Sequence, residues 1–291
     1  HNGRRRQRQM CIRDSDILVK LLIIRGCRKR CSFCIIPKIK GPLRSKPPRQ
    51  ILREYIALRR TPHPAVAKLQ PLESGVVEVS LIAQDLGDYG KDATRHGDKE
   101  GSALVRLLKD LVSAEEHLLA SSPTLEPAWI RLLYLYPDEI TKDLVDTIVA
   151  SRNIILPYVD MPIQHVSARI LKSMGRGVKY DRARLEETLR LLEIARPQEE
   201  EELGGGKWGI SKPSIDANNT GCGIAVRTTL MVGFPGETEA EFEELLAFVE
   251  EWGGRRGVIS HVGIFEFEAE ADAPAATMPN QVPASVKRER R

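Results

Sequence analysis

The sequence predicts an α/β fold: a partial (βα)6 TIM-like barrel, with six parallel strands covered by helices. Two observations predict it. Short runs rich in Val, Ile and Leu recur six times along the chain, separated by longer stretches of helical character. The runs are nearly continuous in apolar residues rather than alternating, as strands covered on both faces are. Six units rather than eight leave a closed barrel unfinished, so the sheet is expected to be open.

The elements follow in order. Residues 1–16 show no usable period and are expected to be a disordered, non-native leader, so Cys11 carries little weight. The first strand is expected over 17–24, an apolar, β-branched run. Pro47-Pro48 opens a helix that ends near Arg60. The second strand covers 76–83 and its helix 102–119; the third strand covers 129–134. A helix then starts at Pro137-Asp138 and runs to Ala150, with Asp138 expected to accept the free N–H groups of its first turn. A short fourth strand, 156–160, precedes helices over 166–174 and 181–194. The fifth strand, 226–232, the helix 237–252 and the sixth strand, 258–267, complete the pattern. Residues 197–222 are acidic, then glycine-rich, and are expected to be an unstructured surface insertion in a core spanning 17–269, with Cys222 a bystander. Residues 270–291 become rich in Ala and Pro and end in Lys287-Arg288-Glu289-Arg290-Arg291, as a linker towards a further domain would.

A chain of 291 residues can bury a sizeable core. Hydrophobic content of 42% and charged content of 29% are those of a globular protein. No apolar stretch approaches the ~20 residues of a membrane span, and no apolar segment follows the N-terminal arginines as in a secretory leader. The net charge of +4 is unevenly spread: residues 1–60 hold 18 Lys and Arg against 3 Asp and Glu, so the remainder carries −11. A basic front end suits an anionic neighbour. Few aromatics interrupt it, so stacking on single-stranded nucleic acid, and direct nucleic-acid binding generally, is not indicated.

The chemistry is concentrated in Cys27-Arg28-Lys29-Arg30-Cys31-Ser32-Phe33-Cys34, which directly follows the first strand. Three thiolates on one loop can hold three irons of a [4Fe–4S] cube and leave the fourth open to a small molecule. A structural zinc site would need a fourth ligand, and neither Cys11 nor Cys222 has the spacing to supply it. Thiolate ligands need a reducing compartment, so a cytoplasmic location is expected.

This run resembles the CxxxCxxC signature of the radical S-adenosylmethionine (SAM) enzymes, whose core is a partial barrel of the predicted kind. Further segments resemble the radical SAM methylthiotransferase family, RimO type: Gly26 to Pro47, Leu81 to Asp85, Arg131 to Asp138, Asp160 to His165, Met174 to Gly177 and Arg227 to Thr238. The likeness covers about residues 17–282 apart from the insertion. It implies methylthiolation of the β-carbon of an aspartate in a small-subunit ribosomal protein, with a [4Fe–4S] cluster, SAM, and a reducing donor of flavodoxin or ferredoxin type. It also implies an N-terminal domain with three further cysteines for a second cluster and a C-terminal TRAM domain, neither of which is expected within this chain. The sister type, MiaB, modifies an adenosine of tRNA and shares the cysteine loop. It typically differs from this chain at Leu133 to Pro137 and at Ala83-Gln84-Asp85, which favours the protein-modifying branch. The tRNA reaction and a zinc or nucleic-acid binding module remain as alternatives.

Under this resemblance Cys27, Cys31 and Cys34 are the cluster ligands, and no side chain is expected to act catalytically beyond the cluster and SAM. Expected cofactor contacts are Phe33, before the last cysteine; Gln84, at the end of the second strand, where an ordinary strand cap is the other reading; and Arg44, whose guanidinium can fork onto a carboxylate or lie solvated. Gln164 ends the fourth strand beside His165, which has three readings: a SAM ribose contact, a group acting on substrate, or a satisfied core histidine. Gly233-Phe234-Pro235-Gly236 forms a tight turn before a helix, where backbone can approach a ligand closely; its spacing is not that of a P-loop. One of Tyr134 and Tyr136 is expected to face the barrel mouth, the other to pack.

Overall fold

The computed structural model describes residues 18–60, 76, 78–92, 102–176, 181–194 and 223–291. The expected leader over 1–16, the insertion over 197–222, Cys11 and Cys222 lie outside the described residues.

Six strands form one parallel sheet: β1 (Leu18–Leu22), β4 (Glu78–Ile82), β5 (Trp129–Leu132), β6 (Ile155–Asp160), β7 (Ala225–Val232) and β8 (Ile259–Glu266), in that spatial order. The first and last strands do not pair, so the barrel is open, as expected. Along β7 residues alternate strictly between buried and half-buried. One face enters the core; the other, as with Arg131, Tyr158 and Arg227, stays polar and partly accessible.

The helices between strands cover the core face. They are α2 (Pro48–Arg60), α3 (Ala103–Ser121), α4 (Lys142–Ala150), α5 (Ala168–Ser173), α6 (Arg182–Ile194) and α7 (Glu239–Val249), after a short α1 (Ile36–Lys40). Between α2 and α3, Arg59 and Glu115 are fully buried and paired at 2.8 Å.

The expected first strand is split. Ile23 breaks the run, and β2 (Ile24–Arg25) turns away to pair antiparallel with β3 (Arg44–Ser45), so the cysteine loop hangs from a small second sheet. The helix expected at Pro137 begins five residues later. Pro137–Glu139 is a separate 3₁₀ turn, and Thr141 caps α4 by accepting from Leu144 N–H at 3.3 Å. Asp138 instead faces Lys29 at 3.8 Å. At α7 a capping box closes, in which Thr238 and Glu241 each bond the other's backbone N–H.

Residues 270–291, expected as a linker, fold back onto the barrel. Ala275 N–H donates to Ser32 O at 2.8 Å, inside the cysteine loop. The helix α8 (Ala284–Arg290) buries Arg290, which pairs with Glu237 at 2.8 Å. Ala275 also belongs to a small apolar cluster with Ile170, Met174, Phe234 and Phe267, against which Phe33 packs. Apolar contacts and the Arg290 ion pair hold the segment where its composition alone reads as free chain.

Among the described residues no helix is long and apolar enough to cross a membrane.

Candidate active site at the carboxyl ends of the strands

The cysteine loop leaves the sheet edge where β1 ends, at the carboxyl ends of the parallel strands. Gly26 starts it with φ +77°, and a Cβ there would lie 2.1 Å from Pro42 O, so only glycine fits. Cys31 is buried, while Cys27 and Cys34 are half-buried. Backbone N–H groups of Lys29 and Ile36 reach the sulfurs of Cys27 and Cys34, each at 3.4 Å. The Tyr136 hydroxyl lies 2.9 Å from Cys31 Sγ. Burial pushes the Cys27 thiol up to about 11 and raises that of Cys34. Positive iron would reverse that preference by binding the thiolates directly.

The donor set fits an iron–sulfur cluster better than a single zinc ion. Tetrahedral Zn–S bonds of about 2.3 Å put thiolates about 3.8 Å apart. Among the described residues, the set of three Cys, His, Asp or Glu side chains that closes within 4.8 Å is Asp85, Asp88 and Glu139, not the three cysteines. Wider sulfur spacing and sulfur-directed N–H groups suit a cube held at three corners.

That acidic set is already filled by side-chain cations. Lys29 Nζ lies 3.0 Å from Asp85, 3.3 Å from Glu139, and 3.8 Å from both Asp88 and Asp138. Arg28 pairs with Asp88 at 2.9 Å, and Lys91 with Asp88 and Glu139. Burial alone would lower the Lys29 pKa; the carboxylates, Asp85 foremost, raise it instead. Burial pushes Asp85 up to about 6 against the pull of Lys29. The Lys29 ammonium lies 4.4 Å from the Tyr136 ring centroid, and the Arg176 guanidinium 3.9 Å. These groups border a cavity of about 360 Å³ lined by Arg28, Lys29, Arg30, Tyr136, Asp138, Gly175 and Arg176. Gly175 has φ +72°, and a Cβ there would press on Arg30 O at 2.6 Å.

The other expected contacts are more scattered. Phe33 packs between the loop and the two apolar clusters. Arg44 is exposed on β3, beside the loop but away from the cavity lining. Gln84 is exposed at the end of β4, and its neighbour Asp85 is the buried group. Gln164 sits at φ +74°, held by bonds with Thr229 O and Met231 N–H, each 2.8 Å. A left-handed conformation at a non-glycine residue is strained and concentrates at functional sites. Gly233 lies under the Lys287 side chain, whose Cγ would be 2.4 Å from an added Cβ, and Gly236 faces Arg169. His165 is a satisfied core histidine: Ser167 N–H donates to Nδ1 at 3.0 Å, and Nε2 lies 3.1 Å from Glu237. Tyr136 is the tyrosine turned to the site; Tyr134 is 44% exposed.

Sequence reasoning missed Lys29, Asp88, Glu139 and Arg176 as site residues. The available signal was the Asp85-Leu86-Gly87-Asp88 run at the end of β4, matched in charge to the arginines and lysine of the cysteine loop.

The chain matches no protein-family model. It is 41% identical over 270 residues to the ribosomal protein uS12 methylthiotransferase RimO of Protochlamydia amoebophila, covering 93% of this chain and 44% of that protein. It is 40% identical over 272 residues to the protein of that name from Chlamydia abortus, covering 93% and 46%. For that of Syntrophobacter fumaroxidans the identity is 39% over 271 residues, covering 92% and 46%. The chain thus spans about half the length of the curated relatives it matches. Among solved structures it resembles the radical S-adenosylmethionine methyltransferase TsrM from Kitasatospora setae, with cobalamin and a [4Fe–4S] cluster bound. The TM-score is 0.57 at 15% identity, over 89% of this chain and 36% of that one. It also resembles the cobalamin-dependent S-adenosylmethionine radical enzyme OxsB, with a TM-score of 0.52 at 13% identity, over 88% and 28%. Those two likenesses establish the fold. Over the span it shares with its curated relatives, the chain is similar to proteins named ribosomal protein uS12 methylthiotransferase RimO, and its fold is like that of the radical S-adenosylmethionine enzymes it resembles.

Proposed function

We propose that this chain carries the radical SAM part of a methylthiotransferase that modifies the β-carbon of an aspartate in ribosomal protein uS12. The observation that carries the reading is the three-thiol loop at the carboxyl end of β1, beside a cavity lined by arginines. Bound there, a [4Fe–4S] cluster and SAM supply a one-electron route to a C–H bond that general bases cannot open.

The chain's own residues do the rest. Cys27, Cys31 and Cys34 would hold the cluster through their thiolates, and SAM would bind beside them. The Lys29 carboxylate nest fixes the backbone between the first two ligands, and the Ser32–Ala275 bond fixes it between the last two. Phe33 and its apolar neighbours keep water from that side of the loop. Arg28, Arg30 and Arg176 present guanidinium groups to the cavity, where a SAM or substrate carboxylate can be oriented. The electron comes from a donor of flavodoxin or ferredoxin type in the reducing cytoplasm. Direct nucleic-acid binding forms no part of the reading.

Anaerobic reconstitution of the chain should give about four irons and four sulfides, and dithionite should then release methionine from SAM. A colourless zinc protein would overturn the reading. The substrate is tested with a chimera in which this chain replaces its counterpart in a curated relative, in cells lacking that enzyme. Mass spectrometry should find a methylthio group on uS12. The same group on tRNA would favour the MiaB-like reaction instead.

A further inference from the structure

Cys31 differs from the other two thiols in what surrounds its sulfur. Cys27 and Cys34 receive backbone N–H groups. Cys31 faces two side chains, the Tyr136 hydroxyl at 2.9 Å and Arg176 Nη1 at 3.9 Å. In the free thiol either sulfur or hydroxyl can donate. An iron-bound thiolate has no proton, so the hydroxyl must be the donor once the site is loaded.

The geometry holds that donor firmly. Tyr136 is buried, with Lys29 and Arg176 both over its ring and its own N–H 3.4 Å from Asp85 Oδ1. Arg176 is fixed in turn by Pro162 O at 2.5 Å. Lys29 belongs to the ligand loop itself, so the ring and the sulfur it serves share one frame.

Resting on the functional reading above, we propose that Tyr136 is a positioning residue that donates O–H···S to the Cys31 thiolate and, with Arg176, eases one-electron reduction of the cluster. Reduction adds one negative charge to the cluster and its sulfurs. A hydrogen bond and a nearby cation each stabilise that charge, which moves the potential upward. No proton need move, and the electron is that of the external donor.

The test is an anaerobic redox titration of the reconstituted chain with dithionite, following the reduced cluster by electron paramagnetic resonance. Tyr136→Phe keeps the ring and removes the hydroxyl, so its midpoint should fall to more negative potential with iron and sulfide content unchanged. Arg176→Gln should shift it in the same direction. Should Tyr136→Phe not fold, 3-fluorotyrosine in place of Tyr136 gives the complementary result. Its more acidic hydroxyl strengthens the bond and moves the midpoint upward. A loaded wild-type chain whose midpoint matches that of its Tyr136 variants overturns this inference and leaves the functional reading standing. A wild-type chain that assembles no cluster overturns both.

Discussion

Arg59 with Glu115, between α2 and α3, and Lys29 with its carboxylates, beside the cysteine loop, are both buried charge clusters, yet they are built on opposite plans. In the first, one cation meets one anion and their hydrogen-bonding atoms are well supplied. Arg59 reaches Glu115 through Nε and Nη2, and Val76 O through Nη1 at 2.8 Å; Glu115 also accepts from Tyr55 and Ala128. In the second, several carboxylates, Asp85, Asp88, Asp138 and Glu139, share one ammonium, Lys29, with Arg28 and Lys91 bound at its rim. It also opens on a cavity. A pair sealed from water joins two helices. A shared nest at a cavity wall fixes the backbone of the cysteine loop.

The sharpest way to break the comparison is Glu115→Ala. It leaves a buried guanidinium without its counter-charge, which costs about 3–5 kcal/mol. Denaturant unfolding of the apo chain should show a midpoint drop of that size, and a drop under 1 kcal/mol would remove the contrast. Gly175→Ala strains the cavity side instead. Both the φ of +72° and the contact with Arg30 O oppose a Cβ, at about 1–3 kcal/mol. Iron uptake should fall with it, whereas Glu115→Ala below its unfolding midpoint should load normally.

The Lys29 nest also responds to pH. Asp85 titrates near 6 when folded, against about 3.9 when unfolded. Between those values the unfolded chain has lost a proton that the folded chain keeps, so stability falls as pH rises from about 4 to beyond 6. Asp85→Asn should flatten that slope in the apo chain; an unchanged slope would show that Asp85 is not its source. The smallest effect belongs to the α7 cap. Hydrogen bonds hold the folded Glu241 carboxyl at about 2 against the burial that opposes them. Its contribution is therefore complete above the unfolded value of about 4.3 and disappears as pH falls towards 2. Glu241→Gln should cost about 1 kcal/mol at neutral pH and close to nothing at pH 2, read by thermal unfolding.

Sequence pattern and local chemistry explain which parts of this were legible. The six parallel strands were readable because each contains a short cluster of Val, Ile or Leu, although β7 alternates, with one polar, partly accessible face, where a continuous apolar run was expected. Both β7 and β8 fall within one residue of the expected bounds. The cysteine triple stood out because its members are neighbours in the chain. The Lys29 nest was not, because its members are spread from residue 28 to residue 139 and meet only after three strands have paired. At the start of α4, Asp138 and Thr141 are both good caps, and the attraction of Lys29 for the carboxylate decides for Thr141. Residues 270–291 read as linker because alanines and prolines carry little periodicity. What docks them is spread thinly over Ala275 in a small apolar cluster, backbone bonds such as that to Ser32, and the buried Arg290.

The bond from Ala275 to Ser32 has a consequence for the order of events during synthesis. The cysteines leave the ribosome early, whereas the strap that closes over them follows about 240 residues later. At roughly 5–20 residues per second this leaves the cysteine loop without that bond for roughly 10–50 s. Iron delivery can use that interval, and so can oxidants.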